Sequence, residues 1–443
     1  MEFYAMFPDP SSKSARNFER AKDVLPGGNS RSTIDLKPYP IYVAEASGSK
    51  VTDVDGNVYI DFINNFTSLI HGHAYPAVTE AVAAQLPKGT AFSFGTEQEL
   101  AHAELICGRV PGFDKIRFMN SGSEAVMNAI KAARAFTGRA KIAKCEGAYH
   151  GSYDFAEVSL NTGPEDWGQN EPRSKAYSKG TPQGVLDDVV VIPYHDEVAA
   201  SELLKRHVGE LAAVLYDPVS SRVGMVPPSQ AYLEMLVEFC QSNGVLLVFD
   251  EVIAFRLGYE GAQGMRGVTP DLTALGKIIG GGFPVGAVAG RSDVMQVFEP
   301  GQGLPHGGTF NANPVTMVAG MATMEGMTRD AFDALNAMGE YGRQGFSEAF
   351  LRAGIGAQVT GQGSLMRMHL TDRSLNSYRT IYPKPAESAR MATLHQYLLN
   401  AGFYMADYGL ICLSTVNTKD ELDAFIEATI AGLTTAEAAL KAV

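Results

Sequence analysis

The sequence is short of nearly everything that marks a stapled, membrane-bound or polyanion-binding protein. Four cysteines (Cys107, Cys145, Cys240 and Cys412) are scattered through 443 residues with no CxxC pair. That excludes a disulfide framework and a cysteine zinc site, and it leaves them as reduced, buried small hydrophobes. No stretch reaches the ~18 uninterrupted apolar residues of a membrane span. Residues 1–10 hold no basic segment followed by an apolar run, so no signal peptide is expected. Basic residues are outnumbered, with 36 Lys and Arg against 49 Asp and Glu and a net charge of −13. The basic footprint that neutralises a nucleic acid is therefore missing, although one local pocket for a small anion remains open. There is no internal repeat, no low-complexity tract and a single tryptophan, Trp167. The expectation is a soluble cytoplasmic protein with no nucleic-acid partner, no membrane partner and no metal.

Glycine, by contrast, is in surplus: 46 residues, about a tenth of the chain, against a usual ~7%. The length suits two or three lobes, and such a chain buries roughly three quarters of its unfolded surface without staples. Pro26-Gly27-Gly28-Asn29-Ser30-Arg31 breaks the early chain into a loop. Alternating segments at 41–46, 50–54 and 57–62, the last after the turn dipeptide Asp55-Gly56, predict a small antiparallel meander. From about residue 76, helical stretches at 77–85, 97–109 and 124–137 alternate with short apolar runs. Those runs, at 141–145, 189–192, 212–216 and 245–249, indicate a mostly parallel sheet covered on both faces. Residues 161–184 read as a long polar loop of the lid or binding type. Beyond about 330, helices, a short strand at 357–360 and a last helix at 419–439 predict an α+β C-terminal lobe.

Chemistry concentrates in four segments. The first is Val248-Phe249-Asp250-Glu251-Val252, with Lys277 following 27 residues after Asp250 and Gly280-Gly281-Gly282 just beyond. Ligands of parallel sheets bind at the carboxyl ends of strands, so Asp250 is placed to reach one. A lysine among apolar residues and glycines loses solvation, which frees its amine as a nucleophile. Each piece alone also fits an ordinary strand-end acidic pair and a solvated loop lysine; the pair in this order favours function. The second is Asn120-Ser121-Gly122-Ser123-Glu124 between a short strand and an alanine-rich helix. It suits a phosphate cradle at a helix N-terminus, or simply an N-cap with a glutamate early in the helix. The third is Gly147-Ala148-Tyr149-His150-Gly151, where Tyr149 is a ring that can lie flat on a planar ligand or a plain loop tyrosine. The fourth is His306-Gly307-Gly308-Thr309-Phe310-Asn311-Ala312-Asn313-Pro314, where Thr309 could donate to a phosphate or merely precede an N-cap.

Together these segments resemble the class III aminotransferases, fold-type I enzymes that use pyridoxal 5′-phosphate (PLP). The resemblance runs from Pro26-Gly27-Gly28 to the final helix. It implies an α/β fold: a large domain with a mostly parallel seven-stranded sheet flanked by helices, plus a small α+β domain built from both termini. The implied boundaries are 1–70 for the N-terminal part of the small domain, 71–328 for the PLP-binding domain and 329–443 for the C-terminal part. It further implies that Lys277 carries the cofactor as a Schiff base and shuttles a proton, and that Asp250 pairs with the ring nitrogen. Val252 and Tyr149 would take the two ring faces, and Ser121, Gly122 and Ser123 the phosphate. Thr309 would reach the phosphate of a neighbouring subunit, implying a homodimer with shared active sites.

Two departures stand out. Asp217-Pro218-Val219 replaces the Glu-Pro-Val of many relatives, one methylene longer. The segments at Pro26–Arg31 and at Gly363-Ser364-Leu365-Met366 look closest to glutamate-1-semialdehyde aminomutases and β-amino-acid aminotransferases. In the latter an arginine usually stands where this chain has Tyr408, and a tyrosine cannot fork onto a carboxylate. Arg31 is then the candidate carboxylate anchor, unless it is a surface loop arginine, and one of two anchors is expected to be missing. The implied activity is transfer of an amino group from a β-amino acid or related amine to a 2-oxo acid by two ping-pong half-reactions. A 2,1-aminomutase is the alternative, and a non-catalytic PLP-binding protein a weaker one. A nicotinamide dehydrogenase is disfavoured because G-x-G-x-x-G and its later acid are absent.

Overall fold

The structure, a computed structural model, describes residues 7–169 and 171–441. The meander is present as β1 (Val43–Ser47), β2 (Lys50–Asp53) and β3 (Val58–Asp61), paired antiparallel. Seven strands form the central sheet: β4 (Lys115–Met119), β5 (Lys141–Cys145), β6 (Val189–Ile192), β7 (Leu211–Tyr216), β8 (Leu246–Asp250), β9 (Leu272–Gly276) and β10 (Gly286–Gly290). Their spatial order is β4-β10-β9-β8-β7-β5-β6. Only β10 runs against its neighbours, β4 and β9, and the other pairings are parallel. Every residue of β7, β8, β9 and β10 is buried, as a sheet covered on both faces requires.

The helix Gly122–Thr137 shows how local sequence sets that cover. Ser121 caps its start by accepting from the Glu124 amide at 3.1 Å, and Gly138 ends it in the left-handed region. Ala125, Val126, Ala129, Ile130 and Ala133 lie buried along one stripe, and their small volume lets the helix sit close to β9 and β10. The helices Glu197–Arg206 and Gln230–Asn243 cover the opposite face through Leu204, Leu233 and Leu236. Truncating a fully buried leucine such as Leu215 or Leu236 to alanine removes about 2–5 kcal/mol of stability.

The C-terminal region adds β11 (Gln358–Gln362), β12 (Leu365–His369), β13 (Phe403–Tyr404) and β14 (Leu410–Cys412). The order β11-β12-β14 makes a three-stranded antiparallel sheet. Strand β13 instead joins the meander, parallel to β3, so both termini build one small sheet. Among the described residues no helix is long and apolar enough to cross a membrane. Three of the four free cysteines are buried; Cys107 is half-buried, which corrects the expectation for that one.

Candidate active site

The carboxyl ends of three neighbouring strands each deliver one titratable group to a cavity of about 1000 Å³. Asp250 ends β8, Lys277 follows β9 directly, and Asp217 follows β7. Asp250 is buried, and its Oδ2 lies 2.8 Å from His150 Nδ1 while its Oδ1 accepts from the Val252 amide at 3.1 Å. Burial pushes the His150 pKa down, so the neutral ring donates Nδ1–H to Asp250. Its Nε2 is buried without a partner among the described residues. The adjacent Glu251 turns the other way, as alternation along a strand demands. It accepts from the Ala262 and Gln263 amides at 2.8 and 2.9 Å and lies outside the cavity lining. Of the two carboxylates in the motif, one faces the cavity and the other holds the fold.

Lys277 sits in left-handed backbone at φ +50°, an uncommon position for a side-chain-bearing residue and a frequent one at functional sites. Its Nζ donates to the Phe66 carbonyl at 2.8 Å. Burial pulls the amine down to about 8, with the Asp250 charge opposing the shift. Asp217 is the second acid on the cavity floor. Burial, reinforced by the Asp250 charge, pushes its pKa well above the ordinary range, and its Oδ1 accepts from the Val219 amide at 3.0 Å.

The helix start at Ser121-Gly122-Ser123 forms another wall. Gly122 and Ser123 line the cavity, whereas the Ser121 hydroxyl is engaged as the N-cap and the residue does not line it. The Ser123 hydroxyl accepts from the Ser152 amide at 3.1 Å. Val252 backs this corner closely: a Cβ on Gly122 would stand 2.8 Å from its Cγ1. Gly151 is required as glycine twice over, by φ +87° and because a Cβ would meet the Ser123 side chain at 2.5 Å. Tyr149 lines the mouth and is 44% exposed. Thr309 lies apart in an exposed loop, outside this chain's cavity lining. That loop is joined to the site where Asn120 Nδ2 donates to Asn311 Oδ1 at 2.7 Å.

Arg31 and Tyr408 both line the cavity, and Arg31 Nη1 donates to Asn65 Oδ1 at 3.0 Å. Lining residues that the sequence reading did not single out include His150, Phe66, Arg222 and Arg367. His150 stood inside the Tyr149 motif, and Arg367 stood one residue past Gly363-Ser364-Leu365-Met366, so proximity was the available signal. Phe66 acts through its backbone and carries no side-chain signal at all. Beside Tyr408, where the sequence reading expects an anchor to be missing, Arg367 of β12 approaches the ring at 5.4 Å.

The family model for aminotransferase class-III matches residues 33–429. The chain belongs to the class III aminotransferases. Its curated relatives include glutamate-1-semialdehyde 2,1-aminomutase 2 of Lachnoclostridium phytofermentans, 39% identical over 93% of this chain and 97% of the relative. Among solved structures, an omega-transaminase from Sphaerobacter thermophilus is 49% identical with a TM-score of 0.95, over 97% of this chain and 99% of that one. A β-phenylalanine aminotransferase from Variovorax paradoxus is 34% identical with a TM-score of 0.87, over 96% and 94%. The α/β architecture with its seven-stranded, mostly parallel sheet is thus that of a fold-type I aminotransferase.

Proposed function

We propose that this class III aminotransferase moves an amino group from a β-amino acid or related amine to a 2-oxo acid, in two ping-pong half-reactions on PLP. The observation that carries the reading is the convergence of Lys277, Asp250 and Arg31 on one cavity. Asn65 and Phe66, adjacent in the chain, hold the Arg31 guanidinium and the Lys277 amine respectively. A carboxylate bound at Arg31 is therefore anchored through the same turn that holds the amine. Similarity to an omega-transaminase and to a β-phenylalanine aminotransferase supports the same donor class.

The residues present fit PLP. Among the described residues no acceptor engages the Gly122 and Ser123 amides at a helix N-terminus, which suits a phosphate. Asp250 suits a pyridine nitrogen, and Val252 and Tyr149 offer an aliphatic and an aromatic face. When bound, PLP supplies an electrophilic carbon and a ring that accepts the electron pair of a breaking C–H bond. The protein's own residues do the rest. Lys277 Nζ, with its pKa near 8, takes a proton from the donor carbon and returns it on the other side of the transfer. Asp250, oriented by the His150 Nδ1–H, keeps negative charge where the ring nitrogen gains positive character. Ser121 fixes the helix start by capping it, and the hydroxyl of Ser123 is positioned by Ser152. Thr309 serves the phosphate of the partner subunit in a homodimer.

Titration of the purified holoprotein with a panel of amines and amino acids tests this. A β-amino acid or amine should bleach the visible band of the lysine-bound cofactor, and a 2-oxo acid should restore it. Lys277→Ala should lack the band at rest. Failure of every β-amino acid and amine to bleach it overturns the donor assignment. The 2,1-aminomutase reading is kept because curated relatives carry that name. Turnover of an amino aldehyde without any 2-oxo acid would select it.

A further inference from the structure

A fully buried lysine of the central sheet has no part in the chemistry described so far. Lys144 is the fourth residue of β5, which runs between β6 and β7, and it is 0% exposed. Its Nζ donates to three carbonyls, those of Val158 at 2.7 Å, Ala148 at 3.1 Å and Cys145 at 3.3 Å. An ammonium has three N–H donors and no acceptor, so this set is complete. Glu146, also buried, is taken by Arg379, whose Nε and Nη2 donate to it at 2.9 and 3.2 Å. Among the described residues Lys144 forms no ion pair with a carboxylate. Burial pulls its pKa down to about 7, with the Cys145 and Glu146 charges opposing the shift.

The choice of carbonyls gives the lysine a task. Ala148 and Val158 are the two ends of the segment that leaves β5 for the cavity. Between them stand Tyr149 at the cavity mouth, His150 with its Nδ1 2.8 Å from Asp250 Oδ2, and Ser152, whose amide donates to Ser123 Oγ at 3.1 Å. The short helix Asp154–Glu157 is the regular structure of this stretch, so one charged group joins its beginning to its end. A buried charge costs free energy that an apolar side chain of similar length would not. Stability is therefore a poor reason for a lysine here. Fixing three backbone carbonyls in a single arrangement is a better one, because it needs three donors at one point. The Lys144 charge also adds to the effect of burial in keeping His150 neutral, which leaves the negative charge of the His150–Asp250 pair on Asp250.

We propose that Lys144 is a positioning residue of the amino transfer, a clasp that joins both ends of the 148–158 segment and so sets where Tyr149 and the His150–Asp250 pair stand. This rests on the reading above that places Asp250 at the ring nitrogen of PLP and Tyr149 on a ring face. Lys144 touches neither cofactor nor substrate; it acts through the loop it closes.

Two measurements on the holoenzyme test the clasp. The first needs no variant. With isotope-labelled lysine in mildly acid buffer, below the titration of Lys144, one lysine ammonium should give an NMR signal that exchanges with water far more slowly than those of surface lysines. Absence of any protected lysine signal overturns the proposal whether or not a variant folds. The second follows the His150 Nδ1–H proton, a slowly exchanging downfield resonance assigned by its loss in His150→Gln. Lys144→Met should shift or broaden that resonance. It should also lower kcat ~10- to 100-fold, as a misplacement of ~1 Å can, while KM for the amino donor moves less than about 3-fold. Lys144→Gln, which keeps two N–H donors, should recover part of both losses. Circular dichroism and the melting temperature establish that each variant is folded. An unmoved His150 resonance in folded Lys144→Met overturns the clasp. A moved resonance with kcat and the visible cofactor band unchanged overturns instead the placement of Tyr149 and Asp250 at the cofactor, and the positioning role with it.

Discussion

Lys277 brings a charge into a place that disfavours it, and the consequence is measurable without any cofactor. In the unfolded chain its amine titrates near 10.5, and in the fold at about 8. The folded state therefore binds this proton less tightly, and the fold loses stability wherever the amine is charged. The loss is complete below pH 8 and vanishes as pH rises through 10.5. At pH 7 the difference between the two values converts to about 3 kcal/mol. The hydrogen bond to the Phe66 carbonyl returns about 1 kcal/mol of that. Cofactor-free Lys277→Met should thus be more stable than cofactor-free wild type by about 2 kcal/mol at pH 7. The gap should close at about pH 10 and reverse above it, where only the lost hydrogen bond of about 1 kcal/mol remains. Urea denaturation at a series of pH values measures it, and a gap that ignores pH would contradict the assignment. On the proposed function the chemistry and the instability have one source, since the desolvation that would free the amine as a base is the same desolvation that costs the fold.

The element that holds this amine is as unusual as the amine. Asn64, Asn65, Phe66 and Thr67 all have positive φ, at 49°, 49°, 52° and 74°, and so form one turn of left-handed helix. For residues with a Cβ that conformation costs ~1–2 kcal/mol each, and least for asparagine. The surroundings impose it: Asp61 Oδ1 accepts from the Ile63 and Asn64 amides at 2.8 and 2.9 Å, and Asn64 Nδ2 donates to the Cys412 carbonyl at 2.8 Å. In a right-handed helix alanine is more stable than glycine by ~0.5–1 kcal/mol. At position 66 the order should invert, with Phe66→Gly more stable than Phe66→Ala by about 1 kcal/mol. Thermal unfolding of the two variants checks this, and a stability order of alanine above glycine would show the turn to be unstrained. Nothing in the string Asn-Asn-Phe-Thr announces a left-handed turn, because tertiary hydrogen bonds create it. The same holds for β10: Gly-Ala-Val-Ala-Gly has weak strand character alone and becomes a strand by pairing with β4 and β9. Strands with continuous apolar runs were legible to within a residue, as 141–145 and 189–192 show, because burial on both faces writes itself into composition. Asp250 and Lys277 were legible because they sit at strand ends in a recognisable order. His150, Arg222 and Arg367 were not, since what brings them to the cavity is packing between segments far apart in the chain.

At the scale of the whole molecule, the exposed loop around Thr309 and the net charge of −13 bear on the same question. Phe310 is 61% exposed beside Thr309, while Asn311 is tied to Asn120 next to the helix proposed as the phosphate cradle. An exposed aromatic held rigidly to a binding site is what a shared interface needs, and the proposed homodimer would cover it. Two chains of charge −13 repel, so association must come from apolar contact against a long-range electrostatic penalty. Added salt screens that penalty over about 8–10 Å near physiological ionic strength. Dilution should therefore release PLP in step with subunit dissociation, and raising the salt should move both transitions together to lower protein concentration. Thr309→Ala should lose PLP about 10-fold more readily, as expected for one hydrogen bond to a charged group, with its dimer dissociation range unchanged. Sedimentation paired with cofactor absorbance follows both quantities on one sample. PLP retained at full occupancy by separated monomers would refute the shared site, because each cavity would then hold its phosphate with residues of its own chain.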